Sequence, residues 1–172
     1  MKKLILPASV LFIFLLEGMY VQFFGSFDAG QEWIFVPRFL FCTLFFIVLF
    51  YDRTQGFLYA LCFGLLFDIV YTEVLGVYLA LFPVLCYVLD RLMRLFHHHL
   101  LIIIAVTLLG IVGLEFSVYA LNLLLQVTDM GMEQFLEKRL VPTLYFNGIF
   151  LILFSFPLRK FIFYLQAKIL DE

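Results

Sequence analysis

Charge is scarce in this sequence. Asp, Glu, Lys and Arg make up only 14% of its 172 residues, and the net charge is −2. There is no run of basic residues, which excludes the electrostatic footprint of a nucleic-acid-binding protein. Cysteine is rare too. Cys42, Cys62 and Cys86 form no CxxC pair, and each lies inside an apolar run. They read as small buried hydrophobes, not as disulfide partners or metal ligands. There is one Trp, and Asn and Gln are thin in the apolar stretches. The chain has no Gly-rich phosphate loop, no HExxH and no Ser–His–Asp set. Acids without a nucleophile and a base beside them are a poor basis for catalysis, so the expectation is a protein that is not an enzyme and needs no cofactor or metal.

Apolar bulk fills the space that charge leaves. Hydrophobic residues reach 65%, 24 of them Phe, with a mean hydropathy of +1.10. Soluble domains usually stop at about 45–50%. The composition therefore implies an all-α integral membrane protein. Six segments approach the ~20 apolar residues that a membrane-crossing helix needs: 4–24, 34–50, 56–72, 75–89, 100–125 and 140–156, the third and fourth being joined by a tight turn at Glu73. The first follows Lys2 and Lys3 as a signal peptide would, but it is long and lacks a small-residue cleavage site. It is read as a retained helix. The expected organisation is a six-transmembrane-helix domain over 1–158 and a short cytoplasmic amphipathic tail over 159–172. In that tail Phe161, Ile162, Leu165 and Ile169 share one helical face, with Lys160 and Lys168 elsewhere. It either lies along the inner membrane surface or extends the sixth helix.

Orientation follows from the cations. With the N-terminus inside, Lys2, Lys3, Arg53, Arg91, Arg94, Arg159, Lys160 and Lys168 fall inside. Only Arg38, Lys138 and Arg139 fall outside. Eight against three puts both termini in the cytoplasm. The acidic loop residues Asp28, Glu32, Asp129 and Glu133 then face outward.

Four charges lie within the spans: Glu17, Arg38, Asp68 and Glu115. Each costs about 2.5–3.5 kcal/mol at a helix centre, so such residues are functional or structural by default. At 1.5 Å per residue the three acids sit about 18–22 Å from the inner ends of their helices, and Arg38 about 6 Å below an outer end. All four therefore share the outer half of the bilayer, with Tyr20, Gln22, Tyr119 and Asn122 nearby. Arg38 is expected to pair with at least one carboxylate. The remaining acids are protonated, face water, or meet cations from a partner. The cluster is either an internal knot that locks packing or a partner or ligand site. Gly56, Ala60, Gly64 and Asp68 recur every four residues and so share one helix face. The small residues let a neighbouring helix approach closely, and Asp68 continues that seam towards it.

A weak internal repeat pairs "EWIFVPRFL" from Glu32 with "EKRLVPTLY" from Glu137, and Glu17 with Glu115. The run His97, His98 and His99 points in three directions around a helix and makes a poor metal site.

The stretches "VPRFLF" (36–41), "YALCFGLLFDIVYTEVLGVY" (59–78) and "LCYVLDRL" (85–92) together strongly resemble the MreD family of rod shape-determining proteins. The most local signature is Gly64-x-x-x-Asp68 followed by Leu75-Gly76-Val77-Tyr78. The length, the "LLEG" of the first helix and the tail "LDE" fit its Gram-positive branch. The resemblance implies a non-enzymatic subunit of the bacterial cell-elongation (rod) complex in the cell membrane, scaffolding lateral peptidoglycan synthesis. The partners it implies are MreC, the MreB filament, the glycosyltransferase RodA and a transpeptidase, within the lipid bilayer; it leaves open self-association. It also implies a fold like the substrate-binding subunit of energy-coupling-factor vitamin transporters. The alternative function is accordingly a small-molecule-binding transporter subunit.

Overall fold

The computed structural model describes residues 4–24, 33–72, 74–96 and 99–170, with side chains to 167. Lys2, Lys3, Asp28, Glu32, Glu73, His97, His98 and the side chain of Lys168 lie outside the described residues. The described chain is helical: α1 (Ile5–Phe24), α2 (Phe39–Phe50), α3 (Arg53–Tyr71), α4 (Val77–Met93), α5 (Leu100–Leu124), the single turn α6 (Met132–Phe135), a π-helical turn (Leu136–Leu140) and α7 (Val141–Leu170). The last three follow one another without a break. Four stretches are long and apolar enough to cross a membrane: Ile5–Phe23, Arg53–Tyr71, Leu100–Leu124 and Met132–Ala167.

The two other helices are shorter, at 12 residues in α2 and 17 in α4. Several boundaries differ from the sequence reading. Helix α2 starts at Phe39, not at 34: residues 33–38 carry no regular secondary structure, and Arg38, at φ −130° and ψ 37°, lies outside helical backbone. A residue before proline is pushed out of helical space. Helix α4 runs on to Met93, so Asp90 and Arg91 are helical rather than part of a loop. Likewise 132–139, expected as connection, is helical and leads straight into α7.

Helix α2, "FLFCTLFFIVLF", is apolar all round, and ten of its residues are buried. A helix of that kind belongs inside a bundle. It is the central helix here, in contact with α1, α3, α4, α5 and α7. Its aromatic rings interlock with those of its neighbours, as in Phe39–Phe150 (centroids 4.1 Å apart) and Phe41–Phe82 (5.8 Å). The outer faces are apolar as well: Leu101, Leu124, Tyr145 and Ile152 are largely exposed, as lipid contact requires. Cys42 and Cys86 are buried, whereas Cys62 is exposed on the outside of α3, contrary to its reading as a core residue.

The small-residue row of α3 meets neighbours within this chain. A Cβ on Gly64 would lie 2.6 Å from the Tyr78 carbonyl oxygen of α4, and one on Gly56 would lie 2.7 Å from the Val48 Cα of α2. Ala60 between them is fully buried. The row therefore serves two close approaches, to α2 at one end and to α4 at the other. At Pro157 the helix continues, and Ile162 and Leu165 beyond it are buried against the core.

Candidate functional site

The four charges singled out in the sequence are all buried, between 0 and 2% exposed. Glu115 of α5 is the hub of the ion pairs. Its Oε1 accepts from Arg38 Nε at 2.7 Å and lies 2.6 Å from a second guanidinium nitrogen. Its Oε2 accepts from Arg139 Nε at 3.0 Å. One carboxylate thus bridges two arginines, and the Arg38 guanidinium also lies 5.4 Å from the centre of the Tyr78 ring.

The other two carboxylates do different work. Glu17 reaches from α1 and accepts the Leu40 N–H at 2.8 Å, at the start of α2. Asp68 reaches from α3 and accepts the N–H groups of Gly76 (2.9 Å), Tyr78 (2.9 Å) and Leu79 (3.0 Å), at the start of α4. The cap residues of these helices, Arg38 and Gly76, make no side-chain cap bond of their own. Gly76 is there because the turn demands a left-handed backbone, with φ at +104°. The first N–H groups of a helix have no partner within it, and the positive end of its dipole favours an anion. Glu17 and Asp68 supply both from a neighbouring helix. The two helix starts are neighbours, since the Arg38 guanidinium lies over the Tyr78 ring. Structure thus brings Glu17, Arg38 and Glu115 together, and joins Asp68 to them only through Tyr78.

Sequence reading missed the polar residues of the last helix. The non-helical stretch 33–38 has no helix to satisfy its backbone, and the π-helical turn and α7 provide the partners. Ile34 N–H donates to the Lys138 carbonyl at 2.7 Å. That acceptor is free because Pro142, four residues on, has no N–H to offer. Val36 N–H donates to Thr143 Oγ1 at 3.2 Å. Asn147 donates to the Val36 carbonyl and accepts the Arg38 N–H, both at 2.8 Å. Thr143 and Asn147 are fully buried. The signal was present, since they stand four apart and so share one helix face. The two Val-Pro elements of the internal repeat meet here, although one is non-helical and the other opens a helix.

Among the described residues, no buried side-chain nitrogen or oxygen lacks a hydrogen-bond partner. The layer is thus saturated: it holds backbone ends, a non-helical segment and two arginines in place. A fourth buried carboxylate lies away from this layer. Asp90 of α4, 2% exposed, lies 3.2 Å from Arg53 and 2.8 Å from Arg94.

Comparison with known proteins agrees with the whole-chain pattern. The family model described as rod shape-determining protein MreD matches residues 2–165. The chain is similar to the rod shape-determining protein MreD of Bacillus subtilis (strain 168), with 28% identity over 172 residues and all of both chains covered. No solved structure matches it. A helical chain with several apolar membrane-length segments, a saturated polar layer and a match along nearly its entire length belongs to the MreD family of rod shape-determining membrane proteins.

Proposed function

We propose that the protein is a non-enzymatic scaffold of the cell-elongation complex, guiding lateral peptidoglycan synthesis together with MreC. MreB, RodA and a transpeptidase are its further partners in this reading. The match over residues 2–165 carries it. The site supports it, because its polar groups are already spent on one another rather than held out to a ligand.

The competing transporter reading needs a cavity with polar contacts for a soluble ligand. A cavity of about 930 Å³ is a lateral groove between α1, α2 and α7 with an apolar lining. Its hydroxyls are engaged: Ser9 donates to the Ile5 carbonyl and Thr43 to the Phe39 carbonyl. A likeness to vitamin-binding subunits, if it holds, is thus one of helix arrangement and not of ligand.

Six crossings with both termini in the cytoplasm belong to the same proposal. Helix α2 alone covers about 18 Å, short of the ~30 Å hydrocarbon core. Residues 33–38 could add at most about 20 Å, enough to complete the crossing. Non-helical backbone at membrane depth is tolerated where protein buries it, and Thr143 and Asn147 supply partners to this segment.

The test is depletion in a rod-shaped host, together with purification of the tagged protein from its membranes. Rounding of the cells and recovery of MreC are expected, with vitamin uptake intact. Stoichiometric binding of a soluble vitamin to the purified protein would overturn the scaffold reading.

A further inference from the structure

We propose that the Asp90 end of the α3–α4 pair is a binding site for an anionic phospholipid, with its phosphate on arginines and one acyl chain in the adjoining groove. The groove, about 350 Å³, is lined by Thr54, Phe57, Leu58 and Leu61 of α3 and by Pro83 and Tyr87 of α4. It opens sideways on apolar side chains; Leu58 and Leu61 are about half exposed.

The arginines stand at one end of it. Pro83, Tyr87 and Arg91 are spaced by four along α4, and Arg94 follows three later, so the wall of the groove runs directly into two cations. Arg91 donates to the Tyr87 hydroxyl from Nε (3.2 Å) and from a terminal nitrogen (3.0 Å), and its guanidinium lies 5.3 Å from that ring. Tyr87 thereby holds a cation at the mouth of the groove it lines. On α3, Arg53 immediately precedes Thr54.

Asp90 aims the other two arginines. It is buried and spends its oxygens on Arg53 Nε and on one Arg94 terminal nitrogen. A guanidinium carries five N–H donors, so each arginine keeps donors in hand, and their side chains are 54 and 43% exposed. The acids nearby are already committed: Asp90 to this pair, and Asp52 to the Gln55 N–H at 2.8 Å as the cap of α3. Three cations against two spoken-for carboxylates leave an anion site. Basic pockets between membrane helices on the cytoplasmic side suit phosphate headgroups.

The dimensions select one chain of one leaflet. From Thr54 to Leu61 the groove follows α3 for about 10 Å, less than half of the ~30 Å hydrocarbon core. A crossing helix would need a longer track. The choice of the cytoplasmic leaflet rests on the orientation proposed above; lipid selectivity does not, so the two fail separately.

Native mass spectrometry of the full chain in detergent tests this, with phosphatidylglycerol and phosphatidylcholine added in parallel. Phosphatidylglycerol should be retained in preference. Each arginine removed should cost about fivefold in that preference, so R91Q/R94Q should nearly abolish it. L61W, which fills the groove and leaves the arginines alone, should weaken retention of both lipids. Glycerol 3-phosphate, a headgroup without chains, should not displace phosphatidylglycerol. Equal retention of the two lipids by the native chain, unchanged preference in R91Q/R94Q with native melting, unchanged retention in L61W, or displacement by glycerol 3-phosphate would each overturn the proposal.

Discussion

Replacing Asp68 by Asn is a near-isosteric change that asks whether a carboxylate, rather than a polar side chain in general, holds α4 in place. Asp68 offers two acceptor oxygens to three N–H groups, those of Gly76, Tyr78 and Leu79, at 2.9–3.0 Å. An asparagine has one acceptor oxygen, and its NH2 would face a donor. It therefore loses at least the Tyr78 bond, or else the two made by the other oxygen. A hydrogen bond to a charged group is worth about 1.5–3 kcal/mol, and a buried donor left unsatisfied costs about as much. The expected loss is roughly 2–5 kcal/mol, a large share of the ~5–15 kcal/mol that holds a typical fold. Asp52→Asn is the control. Asp52 caps α3 through one exposed bond, to Gln55 N–H, and its loss should cost no more than about 1 kcal/mol. Thermal unfolding of both variants in one detergent measures the difference. If Asp68→Asn melts with the native protein while Asp52→Asn does not, the in-trans cap is not what fixes α4.

Glu115→Gln should be worse than Arg139→Gln, because it strands two arginines whereas Arg139 is a quarter exposed. Breaking a buried pair costs about 3–5 kcal/mol, and Arg38→Leu should partly restore the folded yield of Glu115→Gln. Gly64→Leu should disrupt the bundle, while Leu65→Phe on the exposed neighbouring face should not. Even Gly64→Ala should lose about 1–3 kcal/mol, read as a drop in melting temperature, since its Cβ meets backbone. Asn147→Leu should lower folded yield more than Thr143→Val, for it removes bonds to Val36, Arg38 and Thr143. Single cysteines at 126–131 should label from outside intact cells and those at 90–96 should not; the reverse pattern would invert the proposed orientation.

The burial of the four charges was legible in the sequence and their direction around each helix was not. Counting residues from the ends put Glu17, Arg38, Asp68 and Glu115 at one level, and the pairing of Arg38 with a carboxylate follows from its buried charge. Which carboxylate it meets depends on helix order around α2, and no periodicity encodes that. The row Gly56–Ala60–Gly64 announced close approach, yet it serves two neighbours because α3 crosses both α2 and α4. Asp68 was readable as pointing to a packed helix. Its partners are main-chain N–H groups, which leave no trace in side-chain chemistry. Pro37 suited the first turn of a helix from 34, but the helix starts at Phe39, and the non-helical segment before it became intelligible only beside Asn147. The short α2 and α4 were read as spans on hydropathy alone, which says where apolar residues lie and nothing about where backbone bonds close.

The non-helical segment at 33–38 also sets an order of events during synthesis. Its N–H at Arg38 waits for Asn147, 109 residues further along the chain. At ribosomal speeds of about 5–20 residues per second that interval is roughly 5–20 s. In the proposed six-crossing arrangement, the segment until then has polar backbone without its Asn147 partner, and lipid offers no substitute. The second segment must therefore stay near water, or in the care of the insertion machinery, until the last helix emerges and closes over it. Assembly is sealed from the C-terminal side, so a chain cut short before Asn147 lacks the latch for a segment made long before.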